Sequence, residues 1–389
     1  MLLAPFGFYT RYLLRTYLRQ VGSILAVLWL VALTIDIMPQ IGLLLDDAPA
    51  HPARVILLFC ILRTPWLLVP LIPFATFLGI LMAEYLQTRS GARILIWNSG
   101  RSPLGCLVPA LLLGLILGSV DTFLDAWASP ASMEIQTRDR LGRDGQRLDR
   151  SRASDFQWIS LPDGLLRTRV LQADGLVELK DLSFFHFQGP GKLVELIHAK
   201  EARQVPGSPF WRVSDGKFWG GGAGDLGMTE NILFGGPPTT FLKHDLQLSV
   251  DTLWLSVIGM EPQYVPFRII RTLADRPPQG YDPAVYRTRE QAIFADAVLV
   301  IMMAVAASIL STVLLTGSGI LTSVTKILLV GYVVHSVGRA CILFGENGVL
   351  PAVIAAWAVP AVLACGIMIF LKYKSVRTLP KSQLWCARY

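Results

Sequence analysis

Charged residues stand inside otherwise apolar runs at Asp36, Arg63, Asp121, Asp125, Asp296 and Arg339. A charge held at mid-bilayer costs a few kcal/mol, so such residues are functional candidates by default. Asp121 and Asp125 are one helical turn apart and share a helix face, as do His335 and Arg339. Guanidinium groups make charge-assisted hydrogen bonds to anionic oxygens, which marks Arg63 and Arg339 as candidate anion contacts. Arg138 and Arg140, just beyond the third apolar run, are candidates for the same chemistry. The competing readings are structural pairing, such as Asp121 with Arg339, and snorkelling to the interface. Other reactive side chains lack a usable pattern. His186, His198 and His244 have neither metal-ligand spacing nor a nucleophile beside them in sequence. Cys60, Cys106, Cys341, Cys365 and Cys386 contain no pair at metal-ligand spacing, and none lies in the long polar insert. Gly189-Pro190-Gly191-Lys192 lacks the second half of a nucleotide-binding loop. No catalytic set and no metal site are expected.

The elements that carry these charges are apolar segments of membrane-spanning length. Of 389 residues, 53% are hydrophobic and only 16% charged, against about 25% charged in soluble domains. A hydrocarbon core roughly 30 Å thick needs about 20 apolar residues in helical form. Such runs cover 21–45, 55–82, 104–127, 292–315, 321–344 and 350–371. Pro65, Pro70 and Pro73 predict a kink in the second span, tolerated where neighbouring helices satisfy the freed carbonyls. Gly114 and Gly118 form a G-x-x-x-G face in the third, a signal for close helix packing.

Basic residues set the expected orientation. Arg11, Arg15 and Arg19 precede the first span; Arg89, Arg93 and Arg101 lie between the second and third; Lys372, Lys374, Arg377, Lys381 and Arg388 follow the sixth. The opposite loops carry Asp46, Asp47 and Glu346. This positive-inside pattern predicts cytoplasmic termini and an exported insert. The net charge of +7 mostly reflects these anchors, whose partners are anionic headgroups rather than nucleic acid. The first run lacks a small-residue cleavage pattern and is expected to be retained as an anchor.

The insert, about 130–291, begins with a short amphipathic connector carrying Glu134, Arg138 and Arg140. From about 155 to 257 short apolar or alternating runs are separated by turn signals at Pro162-Asp163-Gly164, Ala173-Asp174-Gly175, Gly189-Pro190-Gly191 and Asp215-Gly216. This spacing predicts a β domain of the sandwich, jelly-roll or curved type. Phe156, Trp158, Leu166, Val170, Leu182, Phe184 and Phe218 are its apolar face candidates, filling either the domain's own core or a ligand groove. Phe184, Phe185 and Phe187 require both sheet faces to be apolar locally. The domain scheme is thus 1–129 with three spans, 130–291 as the insert, and 292–389 with three spans.

The whole chain resembles the lipopolysaccharide export permeases LptF and LptG. The resemblance rests on the three-plus-three spans around a β insert, which is a jelly roll in that family. It also rests on local matches. These are Arg11-Tyr12 with Arg15-Thr16, Arg89-Ser90 through Asn98-Ser99-Gly100, Trp127 with Pro130, Tyr286-Arg287, and Gly345 through Pro351. The last two are more similar to LptG than to LptF.

The resemblance implies a permease subunit that works with the other permease, LptF, and two copies of the ATPase LptB. It implies extraction of lipopolysaccharide from the inner membrane and its transfer through periplasmic jelly rolls to LptC and LptA. ATP and Mg would be used by the partner ATPase, with no cofactor in this chain. Lipid A phosphates then become the expected partners of Arg63, Arg339, Arg138 and Arg140, and acyl chains those of Phe156, Trp158 and Phe184. The loop near 88–100 becomes the ATPase-docking element, through Arg89, Arg93, Ile94, Leu95 and Trp97; an interfacial helix on lipid headgroups is the plainer reading. Two departures matter. Ala92 stands where the family usually has glutamate, which shifts the expected grip to Arg93 or Arg89. Asp36 aligns with a lysine that some LptG members are thought to use on lipid, so Asp36 can reach phosphate only through an arginine or a divalent metal. An integral-membrane enzyme and a sensor or scaffold are the other function classes; the first lacks a reactive constellation and the second a cytoplasmic output domain.

Overall fold

The computed structural model describes residues 7–46, 52–93, 107–148, 156–173, 176–187, 193–205, 208, 210–220, 238–248, 250–277, 282–315 and 320–377. It divides into two compact units, one formed by 1–135, 262–270 and 284–389, the other by 136–261 and 271–283.

The first unit is a helical bundle. Helix α1 (Phe8–Ile37) runs through a single 3-10 turn into α2 (Ile41–Asp46). Helices α3 (Pro52–Leu68) and α4 (Ile72–Arg89) follow, then α5 (Leu107–Phe123) and, after a π turn, α6 (Ser129–Arg138). The first four residues of α9 (Phe267–Asp275), with helices α10 (Ala284–Leu314), α11 (Ile320–Glu346) and α12 (Ala352–Arg377), complete it. Among the described residues five helical segments are long and apolar enough to cross a membrane, or six if the bent pair α3–α4 is one span. That pair is the expected kink, bent by 77°. The break falls at Val69–Leu71, where Pro70 has no N–H to give and disfavours helical geometry in the residue before it.

The apolar stretch of α10 is 61% buried, against 11% for α1, so α10 is the bundle's central helix. Leu299, Met303, Ala304 and Ala307 of α10 pack in one core with Leu13 and Tyr17 of α1, Phe77 and Ile80 of α4 and Leu113 of α5. Outward-facing side chains are equally apolar: Val27, Leu30, Val31 and Ile35 on α1, and Val330, Tyr332, Val333 and Val337 on α11. An apolar core under an apolar exterior suits lipid surroundings. The glycines of α5 meet α10 directly. A Cβ on Gly114 would stand 2.9 Å from Ile301 Cα, and one on Gly118 2.7 Å from the Ala297 carbonyl oxygen. The G-x-x-x-G face is used for packing within the subunit.

The second unit contains α7 (Gly142–Leu148), α8 (Thr252–Val257) and a six-stranded antiparallel sheet. Its strands are β1 (Gln157–Leu161), β2 (Gly164–Ala173), β3 (Leu176–Phe187), β4 (Leu193–Gln204), β5 (Phe210–Gly220) and β6 (Thr239–Gln247). They pair in sequence order as a meander. Among the described residues the insert forms one antiparallel sheet, the β domain expected between the two helical sets. One signal misled on detail: Asp215-Gly216 is not a turn. Strand β5 passes through it, with Asp215 in the left-handed region at φ 52°. Asp181 on β3 does the same at φ 51°, beside a register shift against β2.

The register builds one apolar row across five strands, Ile159–Leu166–Phe184–Ile197–Phe218. Another row is charged throughout: Glu178 faces Arg203, Arg203 faces Arg212, and Arg212 faces Asp245. Two arginines directly opposite would repel, but each is drawn outward by its own acid, Arg203 to Glu178 at 2.7 Å and Arg212 to Asp245 at 3.0 Å. The hydrogen bond from Arg212 holds the Asp245 carboxyl below the usual carboxylate range.

Candidate functional site

Three ionic clusters lie in the helical bundle, and the side chains that sequence singled out are distributed among them. In the first, α5 and the π turn Leu124–Ala128 carry Asp121 and Asp125, both buried as their shared face requires. Arg289 of α10 donates to Asp125 in a buried ion pair. Asp296, two helical turns along α10, is 3.6 Å from Arg339 Nη1 of α11. Structural pairing of Arg339, offered as the competing reading with Asp121 as an example, is seen with Asp296 instead. Neither carboxylate oxygen of Asp121 has a hydrogen-bond partner among the described residues. Three acids thus share two arginines, and the arginine side chains differ in access: Arg289 is enclosed, while that of Arg339 is 34% exposed.

The second cluster centres on Arg63. Its Nε and Nη2 reach the two carboxylate oxygens of Asp36 at 2.8 and 3.1 Å, a bidentate fork. Its Nη1 lies 3.4 Å from the Tyr264 hydroxyl, and its guanidinium sits 4.2 Å over the Trp66 ring. One face of this cation and all three of its nitrogens are engaged. Asp36 is thus one partner of an ion pair whose arginine is buried.

The third cluster lies at the end of α4. Tyr17 of α1 donates to Glu84, and Glu84 pairs with Arg93 at 3.3 Å. Arg93 is one of the expected docking residues, yet it is buried. Arg89 is exposed at the helix terminus. Ile94, Leu95 and Trp97 lie outside the described residues.

The remaining candidates fall in the second unit. Arg138 is exposed and pairs with its neighbour Asp139 at 3.2 Å. Arg140, half-buried, takes the left-handed conformation at φ 54° just after α6, where the Leu141 amide donates to the Gln136 carbonyl. Phe184 is buried in the sheet's apolar row with Leu166, while Leu182 and Val170 are buried nearby. Trp158 points to the other face, 57% exposed, and stacks on Phe185 at 6.0 Å. Arg167 lies 3.7 Å over the Phe156 ring and 5.7 Å from that of Trp158. These aromatics thus occupy two surfaces: Phe184 in the domain's core, Trp158 beside a cation on the outer face. His198 Nδ1 is 3.0 Å from Ser183 Oγ, but both residues sit opposite each other in the β3–β4 ladder, a cross-strand pair whose surrounding amides are used in pairing. No group of three or more metal-binding side chains gathers among the described residues.

Sequence reading missed Arg289, Glu84 and Tyr264. Arg289 and Glu84 lie just beyond the apolar runs assigned as spans, where charge is unremarkable. Each helix continues past its apolar run, so both residues are carried into the packed interior. Tyr264 sits in a Pro-rich stretch with no periodicity to mark it.

One family model, described as the lipopolysaccharide export system permease LptF/LptG, matches residues 11–373. Among curated proteins, a search returns no match. The match begins in the first turn of α1 and ends in the last turns of α12, and this chain, a multi-pass membrane protein with a β domain inserted between its helices, belongs to the LptF/LptG family of lipopolysaccharide export permeases.

Proposed function

We propose that this chain is the permease subunit of an ATP-driven transporter that lifts lipopolysaccharide from the outer leaflet of the inner membrane into a periplasmic protein bridge. The observation that carries the reading is the family match over residues 11–373. The proposed partners are a second permease of the same family, a pair of LptB-type ATPase subunits that use ATP and Mg, and the bridge components LptC and LptA. The chain itself supplies a path and a lever, not a chemical step. Co-purification tests this reading. The full chain expressed with the second permease is expected to bring down an ATPase, and proteoliposomes of the complex to release lipopolysaccharide only with ATP. Recovery of the two permeases without an ATPase, and lipid release independent of ATP, would exclude it.

The proposed orientation has both termini in the cytoplasm and the β domain in the periplasm, supported by the basic residues at Arg11, Arg15, Arg19 and Arg89. In a cysteine-free background, Lys200→Cys and Leu242→Cys, both exposed on the sheet, are expected to react with an impermeant thiol reagent in intact spheroplasts. Arg11→Cys and Ser90→Cys are expected to stay unlabelled until the membrane is opened. The reverse pattern would invert the topology.

Docking of the ATPase is proposed on the loop after α4, with Ile94, Leu95 and Trp97 as its apolar surface and Arg89 at its edge. Charge introduced into an apolar contact removes its contribution and adds a desolvation cost. Ile94→Asp with Trp97→Asp is expected to weaken ATPase retention on the order of tenfold, with the permease still recovered intact. Unchanged retention and unchanged lipid-stimulated ATP hydrolysis would move the grip elsewhere.

A further inference from the structure

The docking loop is tied to the bundle interior by one guanidinium. Gly91, in the left-handed region at φ 72°, turns the chain back after α4, and Arg93 enters the bundle, 5% exposed. Its Nη1 donates to Thr88 Oγ1 at 2.9 Å and to the Ser311 carbonyl oxygen at 3.1 Å. Its Nη2 is 3.3 Å from a Glu84 carboxylate oxygen, and Glu84 also accepts from the Tyr17 hydroxyl. Four pieces of structure meet there: α1 through Tyr17, α4 through Glu84 and Thr88, α10 through Ser311, and the start of the loop through Arg93 itself. A buried charge with matched partners tolerates little displacement, because pulling it free strands Glu84 without a countercharge. Helix α10 is the same rigid element that carries Asp296 and Arg289, and at 1.5 Å per residue Ser311 and Asp296 are roughly 22 Å apart along it.

We propose that Arg93 is a positioning residue rather than a gripping one: with Glu84, Tyr17 and the Ser311 carbonyl it latches the motor-docking loop to α1 and α10, so that displacement of the loop is passed to the helix bearing the intramembrane ion pairs. This rests on the reading of the chain as an ATP-driven permease. A guanidinium enclosed in this way presents no surface to a second protein. It gives the loop after it a fixed base.

The test has one arm that needs no motor. In the cysteine-free full chain in detergent, spin labels are placed at Ala92→Cys, half-buried beside the latch, and at Leu314→Cys, exposed near the end of α10. The parent is expected to give one narrow distance distribution. Arg93→Leu and Glu84→Gln are each expected to broaden it, and Arg93→Lys to broaden it less. Should Arg93→Leu fail to fold, the pair Glu84→Leu with Arg93→Leu, which leaves no stranded charge, is expected to fold and to show the same broadening. A distribution as narrow as the parent's in that double variant overturns the latch.

The second arm uses the assembled complex. Arg93→Leu and Glu84→Gln are both expected to keep the ATPase bound while lipid released per ATP falls by about threefold or more. Loss of the ATPase with Arg93→Leu but not with Glu84→Gln overturns the proposal and makes Arg93 part of the grip. Failure of the unaltered chain to bind any ATPase counts against the transporter reading, and the spin-label arm still decides the latch.

Discussion

Arg289→Ala is expected to destabilise the helical bundle by about 3–5 kcal/mol, the usual cost of leaving one member of a buried ion pair alone. Its partner Asp125 is almost wholly enclosed, and Asp121 and Asp296 are buried as well. Without Arg289, Arg339 is the one arginine left in that cluster for three acids. Thermal unfolding of the purified full chain in detergent measures the effect. Asp125→Ala is expected to cost less than Arg289→Ala, since it removes one acid from an acid-rich cluster. Asp125→Leu with Arg289→Met, which exchanges the pair for apolar side chains of similar size, is expected to unfold near the parent's midpoint. If Arg289→Ala also unfolds at the parent's midpoint, the pair is not a structural tie between α5 and α10.

The two intramembrane arginines first singled out for lipid phosphate are expected to behave in opposite ways. Arg63 has a bidentate acid, a phenol and an indole face. A phosphate would have to displace Asp36 to reach it. Arg63→Glu is therefore expected to cost assembly, and the exchange of Arg63→Asp with Asp36→Arg to recover it. Arg339 has, among the described residues, one longer ion pair, to Asp296 at 3.6 Å, and its side chain is a third exposed. Its Nη2 is buried with no hydrogen-bond partner among the described residues, and a guanidinium with a donor still unmatched is suited to a charge-assisted contact with an anionic headgroup. Arg339→Gln is expected to leave assembly intact and to remove most lipopolysaccharide crosslinking and export. Assembly, crosslinking and export of the single and exchanged variants, compared side by side, decide between the roles. Assembly lost in Arg339→Gln and regained with Asp296→Asn would make Arg339 a structural partner instead.

Much of the candidate site was visible in the sequence because the membrane raises the cost of exceptions. Asp36, Arg63, Asp121, Asp125, Asp296 and Arg339 stood out against apolar runs, and all six lie in the helical unit. Their pairing was not visible. Asp121 and Asp125 share a face by helical period alone, but whether α10 or α11 supplies the cation depends on which helix packs beside α5. That is decided by Gly114 and Gly118, whose missing side chains admit α10 to backbone contact.

The sequence by itself determined the class: spans of bilayer length, a break at Pro70, a β insert between two helical sets, and the resemblance confirmed over residues 11–373. These follow from local properties: hydrophobic run length, proline's missing donor, and the period-two alternation of a strand. Only the tertiary structure decided that the strands pair in sequence order, that β5 runs straight through Asp215-Gly216, and that Arg93 turns inward to Glu84 rather than out to a partner. Strand order is a matter of non-local hydrogen bonding, to which turn residues are only a guide. The direction of a long cationic side chain is set by where a buried acid waits, and Glu84, Tyr17 and the Ser311 carbonyl meet Arg93 from positions up to 218 residues away in the chain.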